Sequence, residues 1–492
     1  MNTQQESTCR NPIGSLTWNR RDFLKTVAAA AGATVIPSFG WAAGSSTQAP
    51  NGKPWNVLLV AIDDLNDYPT ILRNYPGMKT PNMDKLAASS VRFSRAFCPG
   101  TACMPSRTAI MSGLAPWRSG VFKNGQKWEN TPELMAIKPL PQVFRESGRY
   151  TMTRGKIFHE SSRTMPHVYE RMWDDPGEWG SYAPKPKPNP RESLDISEVF
   201  GYGVATESEI ADFRLVAETE QLLARSYDKP FFLAHGIFYP HVPLTVPRRF
   251  LDLYPEDEIA FPPPGYKEDD LDDVPEAGKK DNLMRQRFAK LKDAGLWKTY
   301  LRHYLAAISA ADELLGRVMT ALDKSPHKDN TIVVVWADHG LHVGEKSRLA
   351  KFMVWDQTAH VTFLVRAPGM TKPGATCERV VSLQDIYPTL VELCGLQEPG
   401  HELSGRSIVP LLKNPSAPWP HPAVTYHTPS IQGIRTERFR YITYGRDQEE
   451  LYDHDNDPNE WTNLAGKPEY AKAKADLAAA LKAAMGRQKG RS

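Results

Sequence analysis

The chain has 492 residues, 41% of them hydrophobic and 24% charged, enough for one large or two moderate domains around a substantial core. A formal net charge of +3 excludes binding to nucleic acid or to an anionic membrane through bulk charge, and the acidic run Lys267 to Asp281 reads as a solvated loop. Five cysteines exclude a disulfide scaffold, although Cys377 and Cys394 could pair.

In chain order, residues 1–44 read as an export signal. Arg20-Arg21-Asp22-Phe23-Leu24-Lys25 precedes a short Ala/Gly-rich apolar stretch, interrupted by Pro37 and too short for a stable membrane anchor. The paired arginines with Phe-Leu-Lys resemble a twin-arginine signal. That implies the twin-arginine translocation machinery as a partner, and the bacterial periplasm or the exterior as the destination. No later segment is long and apolar enough to span a bilayer. After a linker over 45–54, Asn56 to Ile62 is an aliphatic run ending in Asp63-Asp64, the pattern of a buried parallel strand with its carboxyl end at a site. Cys103-Met-Pro105-Ser106-Arg107 opens an apolar run that predicts a helix, with Pro105 suited to its first position. Cys103 then lies beside a helix N-terminus and an arginine, which would acidify a thiol and make it reactive.

Further on, Ala183 to Pro190 and Phe261 to Pro275 read as surface insertions. Phe231 to Phe238, running towards His241, and Thr331 to Ala337, running into Asp338-His339, repeat the buried-strand pattern. Between them, Tyr300, Tyr304, Leu305, Ile308, Leu315 and Val318 recur at helical spacing. The alternation predicts an α/β fold over 55–418, a large, mostly parallel sheet sandwiched by helices. Over 419–492, short strands at Ala423 to Tyr426, Ser430 to Arg435 and Phe439 to Tyr444, the last leading to Glu450-Leu-Tyr-Asp453, precede a helix striped by Tyr470, Ala473, Leu477, Leu481 and Met485. They predict a small α+β subdomain with antiparallel strands and a terminal helix.

The acids Asp63-Asp64 and the pair Asp338-His339, each at a strand end, converge along one sheet edge and repel unless a cation joins them. Carboxylate oxygens point to Ca²⁺ or Mg²⁺, and His339 keeps another divalent metal open. Together with Cys103-x-Pro105-Ser106-Arg107, this set resembles the type I, formylglycine-dependent sulfatases of the alkaline phosphatase superfamily. The resemblance implies that a formylglycine-generating maturation enzyme oxidises Cys103. It also implies one divalent cation, calcium first, held by Asp63, Asp64, residue 103, Asp338 and His339. Gly155-Lys156-Ile-Phe158-His159 resembles the segment that contacts formylglycine and sulfate. Tyr239-Pro240-His241-Val-Pro243 resembles the segment whose histidine faces the leaving oxygen, and Gly344-Glu345 followed by Lys351 the one whose lysine holds sulfate. Thr80-Pro-Asn82-Met-Asp84 and the late Leu-Tyr-Asp, Asp-Pro and Asn-Leu pattern extend the likeness over the mature chain. An Asp-His pair in place of Asp-Asn is the form of iduronate-2-sulfatase-like members.

What the resemblance implies is hydrolysis of a sulfate ester. The metal, Lys156, Lys351 and Arg107 would spread the charge of the ester and polarise S–O. A hydroxyl of hydrated formylglycine would attack sulfur, and His241 would protonate the departing sugar oxygen, with His159 next in line. The expected substrate is a sulfated saccharide, from glycosaminoglycans or algal polysaccharides; choline sulfate fits less well, since no aromatic cage is evident. Two other readings compete: a phosphonate monoester hydrolase or phosphodiesterase of the same superfamily, and a non-catalytic glycan-binding relative with Cys103 unmodified.

Overall fold

The computed structural model describes residues 48–73, 75–180, 201–280 and 282–486. The export signal and the Ala183 to Pro190 insertion lie outside them. Eight strands build the main sheet: β1 (Asn56–Ile62), β2 (Val91–Phe93), β3 (Tyr150–Gly155), β4 (Asp175–Pro176), β5 (Phe231–Ile237), β6 (Thr331–Ala337), β7 (Phe363–Arg366) and β8 (Ala375–Cys377). Their order across the sheet is 8-2-7-6-1-5-3-4. Only β7 runs against the rest, so the sheet is mostly parallel, as its aliphatic strands predict. In the centre, β1 pairs in parallel with β5 on one side and β6 on the other. All seven residues of each of these three strands are buried, which is why they carry no polar alternation.

Helices α1 (Cys103–Ser112), α2 (Ala211–Ala224) and α3 (Trp297–Lys324) pack around the sheet. The six residues that mark the helical stripe on α3 are all buried. Every residue of the ten-residue α1 is buried as well. The helix begins at Cys103 itself, so Pro105 stands third rather than first; its missing N–H still costs nothing, because the first bond back into the helix is donated by Ser106 N to Ala102 O at 3.1 Å.

The chain ends in an antiparallel meander, β9 (Ala423–Tyr426), β10 (Gln432–Arg435), β11 (Phe439–Thr443) and β12 (Glu449–Asp453), followed by α4 (Ala471–Gly486). Leu477 and Leu481 of α4 close a small core with Ile434, Tyr441 and Leu451. Ile442, Tyr444 and Tyr452 form another with Met353, Val354 and Trp355 of the catalytic region. The subdomain also reaches the motif loop. Thr425 Oγ1 donates to Cys98 O at 2.7 Å, and Tyr426 N to Pro99 O at 3.0 Å.

One sequence expectation fails, and one question the sequence leaves open is answered. The Lys267 to Asp281 run is not simply solvated: Leu271 and Val274 join a buried cluster, and Asp270 is buried against Lys346 Nζ at 2.8 Å. A cation from 76 residues away neutralises an acid whose own neighbours suggest exposure. Cys377 and Cys394 are both free and buried, each with its thiol pushed up by burial, to about 11 and about 12.

Candidate active site

The carboxyl ends of β1 and β6 bring the acids together. Asp63 continues β1, its N–H donating to Ile237 O of β5 at 3.1 Å. The chain then turns sharply at Asp64, which adopts φ 60°, a left-handed conformation that aspartate tolerates better than most residues. Tyr304 of α3 holds this turn: its hydroxyl donates to Asp64 O at 2.8 Å and accepts from Asn66 N at 3.1 Å. At the end of β6, Asp338 accepts hydrogen bonds from Asp64 N (3.1 Å) and His339 N (3.0 Å).

Cys103 Sγ occupies the middle of the cluster. Lys351 Nζ lies 3.1 Å from it, His339 Nε2 3.3 Å and Asp64 Oδ1 4.0 Å. Burial opposes ionisation of this thiol, but Lys156, Lys351 and His339 outweigh it and carry its pKa well below the usual thiol range. Lys156 is fully buried and donates to Asp63, while Lys351 donates to Asp64. Burial likewise opposes the charge on both lysines, and the acids more than offset it, so both pKa values rise. Lys156 Nζ also stands 5.0 Å from the centre of the Phe238 ring.

His339 is raised to about 8, because Asp338 and Cys103 overcome burial. Burial in turn lifts Asp338 to about 7 despite Arg107, whereas Asp63 is held below the carboxylate range by Lys156, His241 and Arg107, against burial and Cys103. His241 Nε2 faces Asp64 Oδ2 at 3.8 Å, and its Nδ1 lies 2.6 Å from Val242 O. His159 comes to the same thiol; burial lowers its pKa, and its Nδ1 is buried without a hydrogen bond.

Arg107 takes a different place from the one sequence suggests. It is fully buried behind the acids, with Nε donating to Asp338 Oδ2 at 2.7 Å, Nη1 bonded to Lys156 O and Nη2 3.3 Å from Asp63 Oδ1. Its Nε and Nη1 are hydrogen-bonded within the site while Nη2 makes no hydrogen bond, so it positions Asp338 and Lys156 and sets a charge beside Asp63. Sequence reasoning also missed Tyr304 and Asp212. The latter, buried on α2, accepts from Phe238 N and Tyr239 N and so anchors the loop that carries His241. No local motif marks either residue.

The donor set fits a divalent cation. Ligand atoms of Asp63, Asp64, Cys103 and His339 all lie within 4.8 Å of one another, and the buried Asp63 Oδ1 accepts no hydrogen bond. Asp338 borders this group with its carboxylate already engaged by Arg107 and two backbone amides. With a thiolate-acidifying field, two lysines and a histidine around one buried centre, the cluster is built to hold an anion against a nucleophile at residue 103.

The Sulfatase family profile matches residues 55–396, a stretch that contains every residue of this cluster. The chain belongs to the sulfatase family. A profile for the C-terminal part of N-sulphoglucosamine sulphohydrolase matches residues 344–487. A sulfatase of Formosa agariphila is 35% identical over 434 residues, which cover 83% of each chain. Human iduronate 2-sulfatase is 28% identical over 421 residues, 74% of each. In fold, the phosphonate monoester hydrolase of Agrobacterium radiobacter superposes with a TM-score of 0.70 at 23% identity, over 88% of this chain and 96% of its own. Cluster and family together make this sulfatase a hydrolase. Among the described residues, no helix is long and apolar enough to cross a membrane.

Proposed function

We propose that this sulfatase hydrolyses sulfate esters on a sulfated saccharide, in the manner of iduronate-2-sulfatase-like enzymes, after Cys103 has become formylglycine. The observation that carries the reading is the Cys103 thiol between Lys351 and His339, at the first turn of a buried helix and beside Asp63 and Asp64. The sulfur stands where the oxygens of a hydrated formylglycine would be. Such a group supplies one hydroxyl to attack sulfur and a second whose deprotonation expels sulfate, which an ordinary Ser or Cys lacks. A cation on Asp63, Asp64, His339 and residue 103, with Asp338 beside it, would supply Lewis acidity; oxygen-rich donors favour calcium.

The remaining work falls to the chain's own side chains. Lys156 and Lys351 are point charges on unbranched stems, which would turn from Asp63 and Asp64 to the sulfate oxygens. His241, fixed through its Nδ1 edge, offers Nε2 to the departing sugar oxygen, which leaves poorly without a proton. His159 faces the thiol from the other segment and is the second candidate for proton transfer. Export by the twin-arginine route, with conversion of Cys103 in the cytosol before folding, completes the proposal; a fully buried Cys103 is out of reach of a modifying enzyme once the chain has folded.

The test is a mass spectrum of the Cys103 peptide together with paired kinetics on an aryl sulfate and an aryl phosphonate ester. Formylglycine at residue 103 and a higher kcat/KM for the sulfate are expected. An unmodified cysteine would return the chain to a glycan-binding role. A preference for the phosphonate would make it a phosphonate hydrolase.

A further inference from the structure

A second cavity, of about 420 Å³, opens where the C-terminal subdomain meets the catalytic region, and none of its walls belongs to the Cys103 cluster. Its charges do not cancel locally. Of the acids on its wall, Asp356 is held by Arg73 at 2.6 Å and by Arg440, Glu437 by Arg379 at 2.7 Å, and Asp455 by Arg438 at 3.6 Å. Each therefore already has a guanidinium.

Two arginines on the same wall are left over. Arg95 donates through Nη1 to a carbonyl, Glu378 O, at 3.2 Å. Arg435, in β10, is 5% exposed; its Nη1 is spent on the carbonyl of Thr436, and its buried Nε makes no hydrogen bond. Among the described residues, neither has a carboxylate within ion-pair distance. Burial, with Arg440 and Arg95 nearby, pulls the Arg435 guanidinium down to about 10, despite the more distant Asp356 and Glu460. A buried guanidinium with a free edge and a like-charged neighbour is costly unless an anion completes it, and its planar fork matches an oxyanion.

We propose that this cavity is a second anion site, separate from the catalytic cluster, in which Arg435 and Arg95 bind a sulfate or carboxylate group. The oxyanion comes either from a sugar unit of the saccharide or as free inorganic sulfate. A volume of this size accommodates a group carried on a small organic body. The Arg435 site itself requires no turnover; its saccharide source and the second, Lys351-dependent sulfate of the test rest on the proposed function.

The experiment is equilibrium dialysis of the full-length Cys103→Ala chain against labelled inorganic sulfate. Two sulfates per chain are expected. Arg435→Gln should weaken one of them at least tenfold while the other stays; Lys351→Ala should do the reverse. Arg95→Gln, at the more accessible edge, should weaken the same site as Arg435→Gln by several-fold, and it serves if Arg435→Gln fails to fold. Repeating the titration with glucosamine 6-sulfate separates the sources. Binding at the Arg435 site tenfold tighter than inorganic sulfate makes it a saccharide subsite, and equal binding makes it a site for the free oxyanion. Unchanged stoichiometry and affinity in both Arg435→Gln and Arg95→Gln would overturn the proposal, as would a single sulfate per chain that only Lys351→Ala removes.

Discussion

Two buried ionic clusters lie within a few residues of each other along the chain, and they solve the same electrostatic problem in opposite ways. Around Cys103, Asp63 and Asp64 are paired with Lys156 and Lys351. Around Asp356, the partners are arginines: Arg73 binds both Asp67 and Asp356, and Arg440 binds Asp356 and, at 2.6 Å, Glu460, which also accepts from Asp356 N at 2.9 Å. An arginine fork locks its carboxylate in one geometry, whereas a lysine is a single charge on a flexible stem. Both clusters shift pKa values strongly, Asp356 and Glu460 downward and Cys103 downward. A perturbed pKa therefore does not separate them. What separates them is the partner of the paired acids: arginine forks throughout at the subdomain junction, and at the catalytic centre lysines on Asp63 and Asp64, with Arg107 alone as a fork behind them on Asp338. On the proposed function those two lysines are the charges reassigned to a ligand.

The sharpest break in this contrast is Cys103→Ala. It should lower kcat on an aryl sulfate by roughly 10⁴-fold or more, with an unchanged circular dichroism spectrum. Asp63→Asn should follow, with a loss of about 10³-fold and less metal by elemental analysis, since several kcal/mol of charge stabilisation depend on that carboxylate. Arg440→Met moves the other quantity. It strips a guanidinium from both buried acids, leaving Asp356 to Arg73 alone and Glu460 to His454, so unfolding by urea should show a loss of about 3 kcal/mol while the folded fraction keeps its kcat. A large loss of kcat in the folded protein would erase the distinction between the clusters.

Smaller and more selective is His241→Ala. A loss of about 10²-fold is expected on a sulfated saccharide, with much less on a nitrophenyl sulfate that leaves without a proton; Lys351→Ala should impair both substrates about equally. A leaving-group dependence no steeper than that of the wild type would remove His241 from the acid role. The smallest effect concerns pH. Glu460, held down at about 2 by Arg440 and His454 against burial, stabilises the fold fully above its ordinary value of 4.5. That contribution should fade as pH falls from 4.5 to about 2, and the slope of stability over this window should flatten in Arg440→Met.

Much of this architecture is legible in the sequence because the signals are local. Seven consecutive buried residues in β1, β5 and β6 are written as largely apolar runs, and the acids that follow β1 and β6 declare the edge where the site forms. The helix of Cys103 and the stripe of α3 are read in the same way. What escapes is pairing at a distance. Asp270 reads as solvated because Lys346 is far away in sequence, and Arg107 reads as a cation that spreads the ester's charge because nothing near it reveals the carboxylates of Asp63 and Asp338 at its edges. The whole Asp356 network, drawn from residues 67 to 460, leaves no trace in any short window.

The loop that presents Lys351 carries one more consequence. Lys346, Ser347, Ala350 and Phe352 all adopt positive φ without being glycine, a run of conformations that local sequence does not favour. Contacts from elsewhere impose it: Lys346 Nζ is bonded to Asp270 and to the carbonyl of Glu460, and Phe352 N donates to Thr101 O at 3.1 Å. The lysine beside the nucleophile is thus set only when the chain has been made as far as Glu460. At roughly 5–20 residues per second, the 357 residues between Cys103 and Glu460 take about 20 to 70 s to synthesise. If Cys103 is converted as the proposed function requires, the converting enzyme would have that interval, on the ribosome, before the last clamp of the site exists.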